Sequence, residues 1–377
     1  PQIRSMNNQL LKEEAIALLK KLIEIPSFSK EENRTADCIE QYLQQKGIPV
    51  FRTGNNIVAI AGDIDINKPT LLLNSHHDTV KPNPQYTKDP FQPIVENEKL
   101  YGLGSNDAGG PLVALIATFL HYFATGLKGW NLVLAATAEE EISGTGGIEA
   151  VLKDEKFIAL TKGCFTPAQL HADSCAIVGE PTLLSMAVAE RGLLVIDGLA
   201  TGKAGHAARE EGDNAFYQAI DAIQWFRNYS FEKRSILLGP VKMSVTVVET
   251  ENKAHNVVPA TCRFVVDVRV NECYTFAEIL ATISENLPAS VSIQPRSTRL
   301  RSSMIDLSHP LIKAGLNNNL TYYGSPTTSD KALIPFPALK LGPGNSARSH
   351  SADEWIGIDE INSGIDCYVA LLDQLTS

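Results

Sequence analysis

The run Thr137-Ala138-Glu139-Glu140-Glu141 closes the apolar segment Leu132-Val133-Leu134-Ala135-Ala136 and is the stretch best equipped for chemistry. Three adjacent carboxylates repel one another, and the segment before them reads as a buried strand, so a cation is expected beside them. Successive side chains of an extended chain point to opposite faces. Neighbouring glutamates can therefore take different partners, one holding a metal and the other handling a proton. Taken alone, the run fits a solvated acidic loop equally well. Other strand ends decide the matter. Short apolar segments lead into His76-His77-Asp78, into Gly179-Glu180-Pro181 and into Gly342-Pro343-Gly344-Asn345, the last followed by His350. A loop of small residues, Tyr101-Gly102-Leu103-Gly104-Ser105-Asn106, supplies Asp107. In an open α/β sheet the carboxyl ends of the strands converge on one crevice, which would gather these groups from distant parts of the chain. Imidazoles mixed with carboxylates suit zinc, with cobalt or manganese as substitutes. Two histidines and at least three carboxylates exceed the needs of one tetrahedral ion. A pair of ions about 3.5 to 4 Å apart, sharing a carboxylate, fits the inventory.

The elements that must position these groups alternate in period. Asn8 to Leu22 carries Leu11, Ala15, Leu18, Leu19 and Leu22 at helical spacing, with Glu13 and Glu14 early and Lys20 and Lys21 late, matching the helix dipole. Glu31 to Lys46 reads as a second helix, stopped at Gly47, and Leu112 to Tyr122 as a long apolar one. Strands are expected at Val50-Phe51, Asn56 to Ala61, Pro69 to Ser75, Leu132 to Thr137 and Ala176 to Val178. This alternation points to an α/β fold with a mostly parallel sheet flanked by helices. No Gly-Lys-Ser or Gly-Lys-Thr follows the glycine loop, which speaks against a phosphate cradle. After Pro181 the texture changes. Gly192 to Ala200 reads as a strand, Asn214 to Tyr229 as a helix, Val241 to Glu249 and Cys262 to Val270 as strands, Phe276 to Asn286 as a helix and Ser290 to Gln294 as a strand. That is the order of a ferredoxin-like split βαβ module. It is expected as an inserted α+β domain over 185–298, with the catalytic domain formed by 1–184 and 299–377; His309 to Leu320, Ala338 to Leu341 and Ile358 to Leu375 complete the latter.

A chain of 377 residues that is 44% hydrophobic can bury the cores of two such domains. Its formal net charge of -10 argues against nucleic acid or an anionic membrane as partner. Six scattered cysteines without a Cys-x-x-Cys pair make a thiolate zinc site or a disulfide framework a poor fit, and the chain reads as cytoplasmic. No apolar run approaches membrane-spanning length, and no signal peptide is evident; Met6 could be the natural start.

Five blocks together carry a resemblance: Ser75-His76-His77-Asp78-Thr79-Val80, Gly102-Leu103-Gly104-Ser105-Asn106-Asp107, Glu139-Glu140-Glu141, Gly179-Glu180-Pro181-Thr182, and Gly342-Pro343-Gly344-Asn345 through His350. In type and order they resemble the co-catalytic zinc aminoacylase and carboxypeptidase family of metallopeptidases, in particular its acetylornithine deacetylase and succinyl-diaminopimelate desuccinylase branch. The resemblance implies two Zn2+ per subunit. His76 and Glu180 would hold one ion, Glu141 and His350 the other, and Asp107 would bridge them. It implies Glu140 as general base on a metal-activated water and Asp78 as the group that orients His76. His77 is read as structural. In the insertion, Gly202-Lys203-Ala204-Gly205-His206 resembles the family's dimerisation-domain motif, which implies a homodimer in which His206 reaches the partner subunit's site and stabilises the oxyanion. Asn256 and Arg269 also match family positions; Arg269 could clamp a substrate carboxylate or form a surface salt bridge. Asn345 and Thr328 complete the substrate-binding candidates. Asp107-Ala108-Gly109-Gly110 stands where many relatives have Asp-Met-Lys-Gly, which removes a cation near the bridging carboxylate. The Gly342-Pro343-Gly344-Asn345 spacing to His350, with Asp353-Glu354 after it, is similar to the acetylornithine deacetylase pattern, whereas Thr327-Thr328-Ser329-Asp330 is similar to the desuccinylase's substrate loop. The expected substrate is a small N-acyl amino acid in arginine biosynthesis (N-acetylornithine, N-acetylcitrulline or an N-succinyl counterpart), with succinyl-diaminopimelate, dipeptides or a silent metal-binding relative as alternatives.

Overall fold

The computed structural model describes residues 8–377 except Glu210, and the expectation for Met6 lies outside the described residues. The chain forms two compact units. One runs to Val188 and resumes over Ile305–Tyr323 and Ser329–Ser377; the other comprises Ala189–Met304 and Gly324–Thr328. The joins thus fall a few residues later than 184 and 298, and a short second return, Gly324–Thr328, belongs to the inserted unit.

The first unit opens with α1 (Asn8–Ile23) and α2 (Asn33–Gln45), followed by the antiparallel pair β1 (Val50–Thr53) and β2 (Asn56–Ile60). Helix α1 buries Leu11, Ala15, Leu18, Leu19 and Leu22, the stripe its spacing predicts. Strand β3 (Thr70–His76) is buried at every position, as a short non-alternating apolar run should be when both faces are covered. Next come two three-residue strands, β4 (Ile94–Glu96) and β5 (Lys99–Tyr101), which the sequence does not announce. A wide helical turn, Ser105–Gly109, feeds α3 (Gly110–Phe123), which has Pro111 at its start, where the missing N–H costs nothing, and is buried almost throughout. Strand β6 (Asn131–Thr137), helices α4 (Ile148–Lys153) and α5 (Glu155–Leu160), and strands β7 (Cys175–Val178) and β8 (Met186–Glu190) follow.

In the second unit β9 (Gly192–Thr201) is succeeded by the short β10 (Gly205–His206), α6 (Ala215–Asn228), β11 (Lys242–Thr250), β12 (Val257–Val258), β13 (Thr261–Val270), α7 (Phe276–Asn286), β14 (Val291–Pro295) and β15 (Ser303–Met304). Four of these strands form an antiparallel sheet in the order β11-β13-β9-β14, the ferredoxin-like arrangement. Strand β9 alternates buried and half-buried positions, so Leu194 and Ile196 join Phe226, Phe264, Val266, Ile279 and Ile283 in a core separate from the first unit's. A capping box between Thr275 and Glu278 starts α7.

The chain then returns through α8 (Pro310–Asn317), β16 (Tyr322–Ser325), β17 (Ala338–Lys340), β18 (Trp355–Gly357) and α9 (Ile358–Leu375). The main sheet runs β1-β2-β6-β3-β7-β17-β8. Its centre, β6-β3-β7-β17, is parallel, and both flanks are antiparallel. Helix α3 packs against β3 and β6 with α1 and α9 beside it. The register aligns the ends that matter: His76 lies opposite Thr137, Asn74 opposite Val178, and Val178 opposite Lys340. The segments leaving β3, β6, β7 and β17 therefore emerge together at the carboxyl edge.

Candidate metal centre

His76 is the last residue of β3 and only 1% exposed. Its Nδ1 donates to the Asp78 main-chain oxygen at 2.9 Å and lies 3.3 Å from the Asp78 carboxylate. A carbonyl can only accept, so the ring carries its proton on Nδ1 and, when neutral, turns a lone pair outward on Nε2. That Nε2 stands 3.3 Å from Asp107 Oδ1, and 3.8 Å from both Glu140 Oε2 and Glu180 Oε1. On the other side, His350 Nε2 is 2.9 Å from Glu141 Oε2 and 3.8 Å from Asp107 Oδ2. The two oxygens of Asp107 thus face two different imidazoles.

The acidic run is not extended, contrary to the expectation from its position after a strand. Glu139 has φ +57°, and the chain turns through Glu139–Glu141 instead of continuing the pleat of β6. The turn separates the three side chains. Glu139 bends back to accept the Gly146 N–H at 3.1 Å, while Glu140 and Glu141 reach the histidines. Asp78 fixes this turn from below, accepting the N–H groups of Glu140 at 3.0 Å and Glu141 at 3.1 Å and the Ser29 hydroxyl at 2.7 Å. His77 points away from the cluster, hydrogen-bonded to Thr35 and to the Asn55 carbonyl, and its burial lowers its basicity.

Four carboxylates crowd two imidazoles here. Burial above all, then the neighbouring carboxylates acting against the nearby His76 charge, raises the Glu140 carboxyl well above the usual range. Burial and Asp107 push Glu180 up to about 8. Asp107 stays below the ordinary value because the His76 hydrogen bond and charge outweigh its burial. His76 is raised despite burial by Glu140, Asp107 and Asp78, and His350 rises to about 9, chiefly through its hydrogen bond to Glu141. Groups brought together against their own repulsion form a donor set that a cation would relieve. Oxygens and imidazole nitrogens of His76, Glu140 and Glu180, and of His76, Asp107 and Glu141, lie within 4.8 Å of one another. The residues present therefore fit divalent metal.

A model of the peptidase family M20/M25/M40 matches residues 72–374, which include all of these groups. The chain belongs to that family. Among relatives of this M20 chain, the succinyl-diaminopimelate desuccinylase of Wolbachia pipientis subsp. Culex pipiens is 25% identical over 93% of this chain and 91% of its own. The [LysW]-lysine/[LysW]-ornithine hydrolase of Sulfurisphaera tokodaii is 26% identical over 98% of each. In fold the M20 chain is similar to a dinuclear metal-binding M20 peptidase from Bacillus subtilis, with a TM-score of 0.66 at 14% identity, covering 98% of this chain and 100% of that one. The M20 chain is thus a hydrolase.

The other expected residues of the M20 chain have partners of their own. Asn345 spends its side-chain oxygen on the Ala347 N–H at 2.9 Å. Its own backbone pairs reciprocally with the Asn106 amide at 3.0 Å in both directions. Gly344, at φ +89°, makes this approach possible, since a Cβ there would meet Asn106 Oδ1 at 2.5 Å. In the second unit His206 is exposed, sits opposite Val257 in the β10-β12 ladder and accepts the Ala208 N–H on Nδ1 at 3.1 Å. Asn256 adjoins it, its carbonyl accepting the Ala207 N–H at 2.9 Å. Arg269 forms a two-pronged pair with Asp267 at 2.7 and 3.0 Å, and Thr328 donates to the Arg191 carbonyl at 3.1 Å. Two acidic groups near the centre, Asp330 and Glu354, have no role at the site that the sequence alone assigns. Asp330 is buried and accepts the Thr137 hydroxyl at 3.0 Å. Glu354 grips the Asp107 loop; in the sequence it stands out only as part of the acidic pair Asp353-Glu354 after His350.

Proposed function

We propose that the chain is a dinuclear metal amidohydrolase that releases an amino acid from an N-acyl amino acid, with N-acetylornithine, N-acetylcitrulline or an N-succinyl counterpart as substrate, in arginine biosynthesis. The observation that carries this reading is the Asp107 carboxylate, one oxygen 3.3 Å from His76 Nε2 and the other 3.8 Å from His350 Nε2. A carboxylate between two imidazoles, each with a glutamate of its own, is a donor set for two ions that share a bridge. His76 and Glu180 would hold one ion, Glu141 and His350 the other. Two zinc ions, with cobalt or manganese as substitutes, polarise a water and the scissile carbonyl when bound.

The remaining chemistry belongs to side chains. Glu140 is the general base: its carboxylate takes the proton of the attacking water and hands it to the leaving amine, a duty suited to a group whose proton affinity burial raises. Asp78 orients His76 and the acidic turn together. His206 stabilises the developing oxyanion in a homodimer, and Asn256, Arg269, Asn345 and Thr328 contact substrate. Diaminopimelate, lysine and ornithine, named for the two curated relatives, each carry a second amino group, which supports an acylated diamino acid as substrate class. The desuccinylase relative and the Thr327-Thr328-Ser329-Asp330 loop favour a second reading, succinyl-diaminopimelate hydrolysis. A panel of N-acetyl, N-succinyl and dipeptide substrates, offered to zinc-loaded protein with release of free amino acid measured, tests both. N-acetylornithine or N-acetylcitrulline should give the highest kcat/KM. A preference for succinyl-diaminopimelate selects the second reading, preference for dipeptides selects a peptidase, and no hydrolysis at all defeats the enzyme.

A further inference from the structure

One side chain takes three N–H groups of the loop that presents Asp107. Glu354 is 2% exposed. Its Oε1 accepts the N–H groups of Asn106 and of Asp107 itself, each at 2.8 Å, and its Oε2 accepts that of Gly104 at 3.0 Å. Its main-chain oxygen takes the Gly102 N–H at 3.0 Å. The loop needs such an anchor. Gly104 is left-handed at φ +74°, and the backbone through Asp107 and Ala108 departs from helical geometry inside the turn, so no regular ladder satisfies these N–H groups.

We propose that Glu354 is a positioning residue of the metal centre, fixing the Asp107 backbone so that its two carboxylate oxygens face the two imidazoles. The inference rests on the dinuclear reading above. A second contact points the same way. The Asn106 amide clasps Asn345, and the chain from Asn345 leads through His350 to Glu354, immediately before β18, whose Trp355 lies opposite Tyr101 of β5. One segment of five residues, His350 to Glu354, thus carries a metal donor at one end and the anchor of the bridging loop at the other. The separation of the two donors is set by this segment. Asp353, next to Glu354, secures a different stretch of chain, its carboxylate accepting the N–H groups of Thr87 and Lys88.

Cobalt(II) titration of the metal-free full-length protein, followed by visible absorption, tests the proposal in Glu354→Gln and Glu354→Met with Asp353→Asn as control. Removing such supporting groups weakens metal binding about 10- to 100-fold. Glu354→Gln keeps one acceptor oxygen and should weaken the less tightly held ion by about tenfold. Glu354→Met keeps the volume but no acceptor and should weaken it by about 100-fold, with altered absorption bands. Asp353→Asn should titrate like the wild type. A loop anchor without influence on the centre would lower the melting temperature of metal-free Glu354→Gln and leave both cobalt affinities and the spectrum unchanged; that result overturns the proposal. Should Glu354→Met fail to fold, Glu354→Gln decides alone. Wild-type protein that takes up fewer than two ions would instead refute the dinuclear reading, and this proposal with it.

Discussion

Glu139 and Glu140 are neighbours in the chain with opposite fates. The left-handed residue bends into its own loop and accepts the Gly146 N–H, while the next stands 3.8 Å from His76 Nε2 in a buried site. Proton transfer through Glu140 is testable on that geometry: Glu140→Ala should lower kcat by about 10²- to 10⁴-fold while zinc content, read by elemental analysis, stays at two per chain. Retained turnover would pass the role elsewhere. Raised pKa values add a second expectation. In the metal-free protein Glu141 holds His350 at about 9, and burial with Asp107 holds Glu180 at about 8, so both carry a proton at pH 7 and must shed it to bind a cation. Zinc affinity should therefore climb with pH to about 9 and level off above it. Calorimetric titration at pH 7 in two buffers of different ionisation enthalpy reads the released protons, and a heat that ignores the buffer would contradict the assignment. For the metal-free fold the sign is the reverse. The His350 value lies above its ordinary 6.5, so its contribution to stability is complete below that pH and is lost as the pH rises through 9.

At the scale of elements, β3 and the acidic turn are joined through Asp78. Its buried carboxylate takes the N–H groups of Glu140 and Glu141, so Asp78→Ala strands two part-buried donors as well as loosening His76. At about 1 to 3 kcal/mol for each stranded donor, the variant should lose roughly 3 kcal/mol, seen as a lower urea midpoint, and zinc affinity should fall with it. An unchanged midpoint would mean that the turn holds itself. Long elements were legible from period alone: α1, α7, α9 and the buried β3 lie within a residue or so of their expected spans because each has a full stripe or a full apolar run. Strands β4, β5 and β18 were not, since three residues carry no period and their pairing joins positions far apart, Trp355 with Tyr101. The same blindness hid the role of Glu354, whose partners are backbone N–H groups about 250 residues earlier, a relation no local pattern encodes. The acidic run was legible as chemistry but not as shape, because a left-handed glutamate has no signature in the residue types around it.

Across the whole molecule the proposed chemistry is divided between two units with separate cores. The proposed base and metal donors belong to the first, and His206 to the second, where it is exposed beside Asn256. Among the described residues no helix is long and apolar enough to cross a membrane, and the segments leaving β3, β6, β7 and β17 gather at the carboxyl edge of one sheet. If His206 serves the partner subunit's site, as the resemblance implies, base and oxyanion donor for one reaction come from different chains. Glu140→Ala and His206→Ala should then each be nearly inactive alone, the latter with its zinc content intact and kcat down by about 10²- to 10³-fold. Unfolding and refolding the two variants together creates dimers in which one chain supplies the base and the other the histidine. Random assortment makes half of the dimers mixed, each with one complete site of two, so about a quarter of wild-type activity should return. A mixture no more active than its components would mean that His206 acts within its own chain or not at all. Activity of His206→Ala alone, compared with wild type at saturating substrate, separates those two outcomes.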